Sequence, residues 1–167
     1  MARLETDRLL IRRLVLEDAP FILRLLNTPG FLEHIGDKGV RDLQQARAYL
    51  EDGPMKSWTE HGHGLSLVVL NATGEPLGLC GLLRRKPDQD VDLGYAFLPE
   101  FERQGYACEA AAGVLADARR VHGFPRILAL VSPGNVRSIR LLEKLGFTRC
   151  PALDEEGTLY FEQVTRA

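Results

Sequence analysis

Cysteine is scarce in this chain. Only Cys80, Cys108 and Cys150 occur in 167 residues, and none forms a CxxC pair. Small secreted scaffolds depend on a dense, even set of cysteines, so that class is excluded and a reducing cytoplasm is the expected setting. Four histidines and three cysteines show no metal-ligand spacing, so neither a structural zinc nor any other metal is expected. No apolar run approaches the roughly 20 residues needed to cross a bilayer. The first residues, Met-Ala-Arg-Leu-Glu-Thr-Asp-Arg, are charged and hold no signal-peptide core. A basic surplus is missing too: Lys plus Arg total 21 against 23 Asp plus Glu, a net charge of -2. General nucleic-acid binders carry the opposite balance. Gly62-x-Gly64 lacks a third glycine and precedes a strand-like run, so it is no dinucleotide fingerprint. Repeats and low-complexity stretches are absent.

What remains is an ordinary globular composition, 45% apolar and 26% charged, in a length that suits one domain over residues 1–167. Arg8 to Leu14 (RLLIRRL) reads as a strand. Residues 17–27 place Ala19, Ile22, Leu23, Leu25 and Leu26 at helical spacing, and Thr28-Pro29-Gly30 reads as the stop, with a loop over 31–41. A second helix is expected from about 42 to 51, broken at Gly53-Pro54, and a helical piece at 55–60 holds Trp58. Leu65 to Leu70, Leu77 to Arg85 and Val91 to Leu98 read as an antiparallel meander, because turn-forming residues separate them. A long alanine-rich helix follows over 106–122. Residues 126–131 (RILALV) form an apolar strand covered on both faces. A helix over 135–145 precedes closing strands at 147–150 and 158–164.

The most informative stretch is Phe101-Glu-Arg-Gln-Gly-Tyr-Ala-Cys-Glu-Ala110, which joins a strand to a helix through a short glycine-containing turn. The first N–H groups of a helix have no internal partner and lie at the positive end of its dipole. Such a turn grips a phosphate or diphosphate with main-chain atoms, and Gly105 keeps side chains out of the approach. A second signal lies about thirty residues on: Asn135-Val-Arg-Ser138, then Leu142-Glu-Lys-Leu-Gly-Phe147. Read on backbone chemistry alone, Asn135 is an N-cap after the Ser132-Pro133-Gly134 turn, and Ser138 shares its face.

Together these segments resemble the GNAT superfamily of acyl-CoA-dependent N-acetyltransferases, and most closely its RimJ/RimL branch. The resemblance implies an α/β (α+β) fold. Its mixed, mostly antiparallel sheet of six to seven strands carries helices on both faces and a splayed central strand pair. It implies acetyl-CoA as cosubstrate, bound along Phe97, Leu98, Arg103, Gln104, Gly105, Tyr106, Ala107, Cys108 and Asn135. Gly105 and Ala107 match the family's diphosphate loop. Glu102 departs from it, standing where the family has Arg or Gln, and would need to point away or pair with Arg103. The implied reaction is direct attack of a primary amine on the thioester, the amine being a protein N-terminus or a small compound. A homodimer enters by family habit only.

The resemblance also gives Ser138 the part of general acid toward the departing thiolate and a backbone N–H near Phe97 the part of oxyanion donor. Asp92 matches a position that is often Glu and is the expected base, with His61, His63, Glu33 and His34 as alternatives. Residues 17–62 should form one wall of the acceptor site. Two other readings stay open: an acyl-CoA-binding module without catalysis, and a hydrolase using Cys108, whose place in a first helical turn favours the thiolate.

Overall fold

The structure, a computed structural model, describes residues 3–165. Short apolar runs build one eight-stranded sheet, one strand more than the upper expectation. The strands are β1 (Arg3–Glu5), β2 (Leu9–Arg13), β3 (Leu65–Leu70), β4 (Pro76–Leu83), β5 (Asp92–Phe97), β6 (Arg126–Val131), β7 (Thr148–Arg149) and β8 (Leu159–Val164). They lie in the order β1-β2-β3-β4-β5-β6-β8-β7. All neighbours are antiparallel except β5 and β6.

Side chains alternate across the sheet, so each face has its own core. On one face Val91, Leu93, Ile127, Ala129 and Phe161 pack under α5 (Tyr106–His122) and α6 (Val136–Lys144). On the other, Leu10, Leu67, Val69, Leu79 and Leu98 pack under α1 (Ala19–Leu25), α2 (Pro29–His34) and α3 (Leu43–Leu50). Helix α4 (Lys56–His61) continues α3. Gly113 lets α5 approach β1, since a Cβ there would stand 3.1 Å from Thr6 Cγ2 and 3.3 Å from Leu4 Cδ2. Among the described residues no helix is long and apolar enough to cross a membrane.

Three sequence expectations change. Residues 31–41 are not all loop: Thr28 is extended and Pro29 sits at the start of α2. A fixed φ and a missing N–H suit proline to that position, so Thr-Pro-Gly ends one helix and opens the next. Gly53-Pro54 does not break the second helical region. A π-helical turn, Glu51–Met55, carries the chain from α3 into α4 without leaving helical geometry. Finally, Arg3–Glu5 adds an edge strand that pairs with Leu10–Arg12.

Candidate active site

Strands β5 and β6 start side by side and then part. Leu128 N–H donates to the Val91 carbonyl at 2.9 Å, and Asp92 pairs with Leu128, the one registered pair between these strands among the described residues. Beyond it the parallel strands diverge. On its other edge β5 stays paired with β4 through Gly78–Phe97, with Leu98 N–H donating to the Leu77 carbonyl at 2.9 Å. Ladder groups alternate sides along a strand. The backbone groups of Leu98 and Ala96 therefore face β4, and those of Tyr95 and Phe97 face the opening. Of the two residues expected to contact cofactor here, Phe97 presents its main chain to the gap. Leu98 is 1% exposed and lies in the core under α1–α3.

At the wide end of the gap lies the turn before α5. Arg103 (φ 62) and Gly105 (φ 81) are both left-handed, which curls successive N–H groups into a concave cradle. Arg103 is the described non-glycine residue with positive φ, a conformation that costs backbone strain. Arg103 and Gln104 are exposed, while Tyr106, Ala107 and Cys108 are half-buried in the first turn of α5.

Arg8, between β1 and β2, braces this turn, a role that its charge at the start of an expected strand did not announce. Its Nη1 donates to the Gln104 carbonyl at 2.9 Å and its Nε to Glu109 Oε1 at 2.8 Å. Its guanidinium stands 4.4 Å over the Tyr106 ring. Thr6 also donates to Glu109. Burial pushes the Glu109 carboxyl up, but the bonds from Thr6 and Arg8 outweigh it and leave the group below its usual value. Glu102, the departure from the family loop, does not pair with Arg103. It forms an ion pair with Arg137 in the first turn of α6, so the extra negative charge is neutralised across the site.

Helix α6 supplies the opposite lip. The Asn135 side chain accepts from Ser138 N–H at 3.2 Å and caps the helix. The Ser138 hydroxyl meets the Tyr95 hydroxyl in a close hydrogen bond. Tyr95 went unnoticed in the sequence because strand alternation explains it as a core aromatic. Its partner lies 43 positions away, beyond any local pattern.

The structure does not bring the expected base to this cluster. Asp92 is 3% exposed and lies on the other sheet face, about 10 Å along β5 from Tyr95. Arg85 holds it through Nε–Oδ2 at 2.9 Å and Nη2–Oδ1 at 3.2 Å. Burial pushes its carboxyl up, while the Arg85 bond opposes the rise. Trp58, His61 and His63 gather at the far end of α5. His63 lies 5.7 Å from the His122 ring, and Trp58 Nε1 donates to the Leu65 carbonyl at 3.1 Å. His34 comes nearer: its Nδ1 is 3.1 Å from Ser132 Oγ, so α2 reaches across to the β6–α6 connection. Glu33 stands beside it, 3.7 Å from His34 Nε2. Among the described residues no group of three or more His, Cys, Asp or Glu is placed to hold a metal.

A splayed parallel pair inside a mostly antiparallel sheet, with a left-handed turn feeding a helix at its wide end, defines an acyltransferase-type cofactor cleft. Residues 8–148 match the acetyltransferase (GNAT) domain family, and the chain belongs to that family. Its general reaction is acetyl-CoA-dependent acetyl transfer. The chain is 32% identical over 149 residues to YkkB of Bacillus subtilis, covering 86% of this chain and 84% of that protein. It is similar to the crystal structure of an acetyltransferase from Agrobacterium tumefaciens, with a TM-score of 0.86 and 26% identity over 99% of this chain and 95% of the other. RimL, a ribosomal-protein alpha-N-acetyltransferase solved with coenzyme A, aligns with a TM-score of 0.81 at 13% identity over 97% of each chain. That likeness is one of fold.

Proposed function

We propose that the whole chain acts as one N-acetyltransferase domain that passes the acetyl group of acetyl-CoA directly to a primary amine. The observation that carries this reading is the β5–β6 opening, which leaves Phe97 main-chain groups without a β6 partner among the described residues, next to the turn that holds Arg103 and Gly105. The fit to acetyl-CoA is local and physical. The left-handed turn and the α5 N-terminus suit a diphosphate, and the free strand edge suits the amides of pantetheine, which add to it as a strand would.

In this reading the Phe97 N–H stabilises the oxyanion, being fixed before the reaction begins. As the amine nitrogen bonds to the acetyl carbon, the carbon–sulfur bond breaks and its electron pair leaves on sulfur. The amine loses a proton to water, and the sulfur gains one, so amide and free thiol result. Ser138 donates a hydrogen bond to the departing sulfur. Asp92, tied to Arg85 on the other sheet face, takes no direct part in that proton transfer. Positioning alone supplies much of the acceleration in such a direct transfer. Contact between His34 and Ser132 supports the α1–α2 segment as an acceptor wall. A protein N-terminus and a small amine both fit this description. The unbonded state of Cys80, Cys108 and Cys150 supports a cytoplasmic setting.

Cys108 does not lead to a hydrolase. His61, His63 and His122 cluster at the other end of α5, about 21 Å away along the helix. The binding-only alternative keeps one observation in its favour, the occupied state of Asp92.

The first test is thermal stability with acetyl-CoA, using NADH and ATP as controls. At a hundredfold excess over Kd the stabilisation is about 2.7 kcal/mol, a rise of roughly 5–10 °C in a chain of this size. Release of CoA in the presence of amines or N-terminal peptides then separates an enzyme from a binding module. No shift with acetyl-CoA refutes the function.

A further inference from the structure

We propose that Tyr95 is a positioning residue for Ser138: its phenol donates to the Ser138 oxygen and leaves the serine proton aimed at the departing sulfur. This rests on the acetyl-transfer reading above and deepens it.

The two hydroxyls come from distant parts of the chain, Tyr95 from the free edge of β5 and Ser138 from the first turn of α6. Their contact ties β5 to α6 across the cleft, closer than the 3.5 Å from Tyr95 Oη to the Ser138 carbonyl. In a pair of hydroxyls one must donate and the other accept. The phenol is the more acidic and so the better donor, which favours serine as the acceptor toward tyrosine. The serine proton is then free to point elsewhere. Left alone, a serine in a first helical turn turns its proton to a nearby backbone carbonyl. Accepting from Tyr95 polarises the Ser138 O–H and strengthens its own donation, as in any hydrogen-bonded chain.

Burial pushes the Tyr95 phenol up to about 12, against the opposing effect of the Ser138 bond. It stays neutral across the working range, so it acts by donating a hydrogen bond and never delivers its proton. Nothing is consumed or left over at Tyr95 during turnover. A serine is a weak acid by itself, and the tyrosine supplies the polarisation that makes it useful.

Tyr95→Phe, Ser138→Ala and the double variant test this. Each is measured for kcat, for KM and for the Kd of acetyl-CoA by calorimetry, with Tm as the check on folding. Tyr95→Phe removes one oxygen and keeps the ring. It should lower kcat about tenfold, in line with one hydrogen bond lost at the reacting end, with Kd changed less than twofold. Ser138→Ala should lower kcat at least as much, and the double variant should match Ser138→Ala. The Tyr95→Phe deficit should shrink with acetyl thioesters of more acidic thiols, whose leaving groups need less help. An unchanged kcat in Tyr95→Phe overturns the proposal, as does an equal loss from Tyr95→Phe with and without Ser138. If the wild-type protein binds no acetyl-CoA, the function itself falls. If the wild type transfers normally and Tyr95→Phe is silent, only the Tyr95 role falls.

Discussion

Replacing Arg8 by Ala should weaken acetyl-CoA binding about tenfold without unfolding the protein. Three contacts vanish: the bond to the Gln104 carbonyl at 2.9 Å, the ion pair to Glu109 at 2.8 Å and the stack over Tyr106 at 4.4 Å. The Arg8 side chain is 43% exposed, so the ion pair contributes no more than about 1 kcal/mol. The charged bond to a carbonyl is worth about 1 kcal/mol at this exposure, and the ring contact about 0.5 kcal/mol. These overlap, giving a total of about 2 kcal/mol and a Tm lowered by roughly 4–8 °C. The carbonyl bond and the ring contact order the Arg103–Gly105 turn, and losing about 1.4 kcal/mol of that order is tenfold in Kd. Calorimetry of acetyl-CoA reads this directly. Turnover of S-acetyl-pantetheine, which has no diphosphate, should change little. Arg8→Lys keeps the charge but not the forked geometry, and should recover less than half of the lost affinity. A Kd within twofold of wild type, alongside the lowered Tm, would show that Arg8 staples the fold without shaping the cradle.

Gly105→Ala forces a side chain into φ 81 and sets its Cβ 3.2 Å from Arg8 Nη2; a loss of about 1–2 kcal/mol is expected, with acetyl-CoA weakened in the same titration. Glu102→Gln frees Arg137 from its ion pair and should tighten acetyl-CoA about threefold at low salt, an advantage that fades as salt screens it. Weaker binding at low salt would show that Arg137 is needed where it stands. His63 is buried, with Nδ1 3.2 Å from the Leu82 carbonyl, and burial first, then His122, Arg84 and His61, hold its pKa below the usual 6.5. A depressed histidine gives stability above its unfolded pKa that is lost as pH falls through the folded value. Melting curves taken downward from pH 7 should therefore steepen below about 6.5, and His63→Gln should flatten that limb. An identical slope in the variant would remove His63 as its source.

The parts of the fold that were legible in the sequence are those whose signals are local. Tyr106–His122 and Arg126–Val131 fall where expected, one by its alanine face and closing glycine, the other by an unbroken apolar run. Pro29 and Pro54 misled because proline marks a boundary without saying which side is helical. The first opens α2, and the second sits inside a π-helical turn. Strand β1 carries only three residues, and its pairing with β2 is a long-range event with no pattern of its own. At the site, the turn and both helix starts were readable because capping chemistry is local. Arg8, Tyr95 and the Glu102–Arg137 pair were not, since each acquires its role from a partner at least 35 positions away.

The parting of β5 from β6 leaves a strand edge in the middle of the sheet, where edges normally invite foreign chains. Depth within the molecule shields this one from large partners while admitting a thin, extended molecule. The amides of Tyr95 and Phe97 then hold an unusual status: they belong to a core strand yet, among the described residues, lack a ladder partner on one side. Their hydrogen exchange should be fast for their depth and should slow when a ligand docks along the edge, whereas Leu98, bonded to Leu77, should be slow throughout. The sheet is, in effect, a spring left uncoiled at its centre, and its rigidity is set by whatever small molecule completes it.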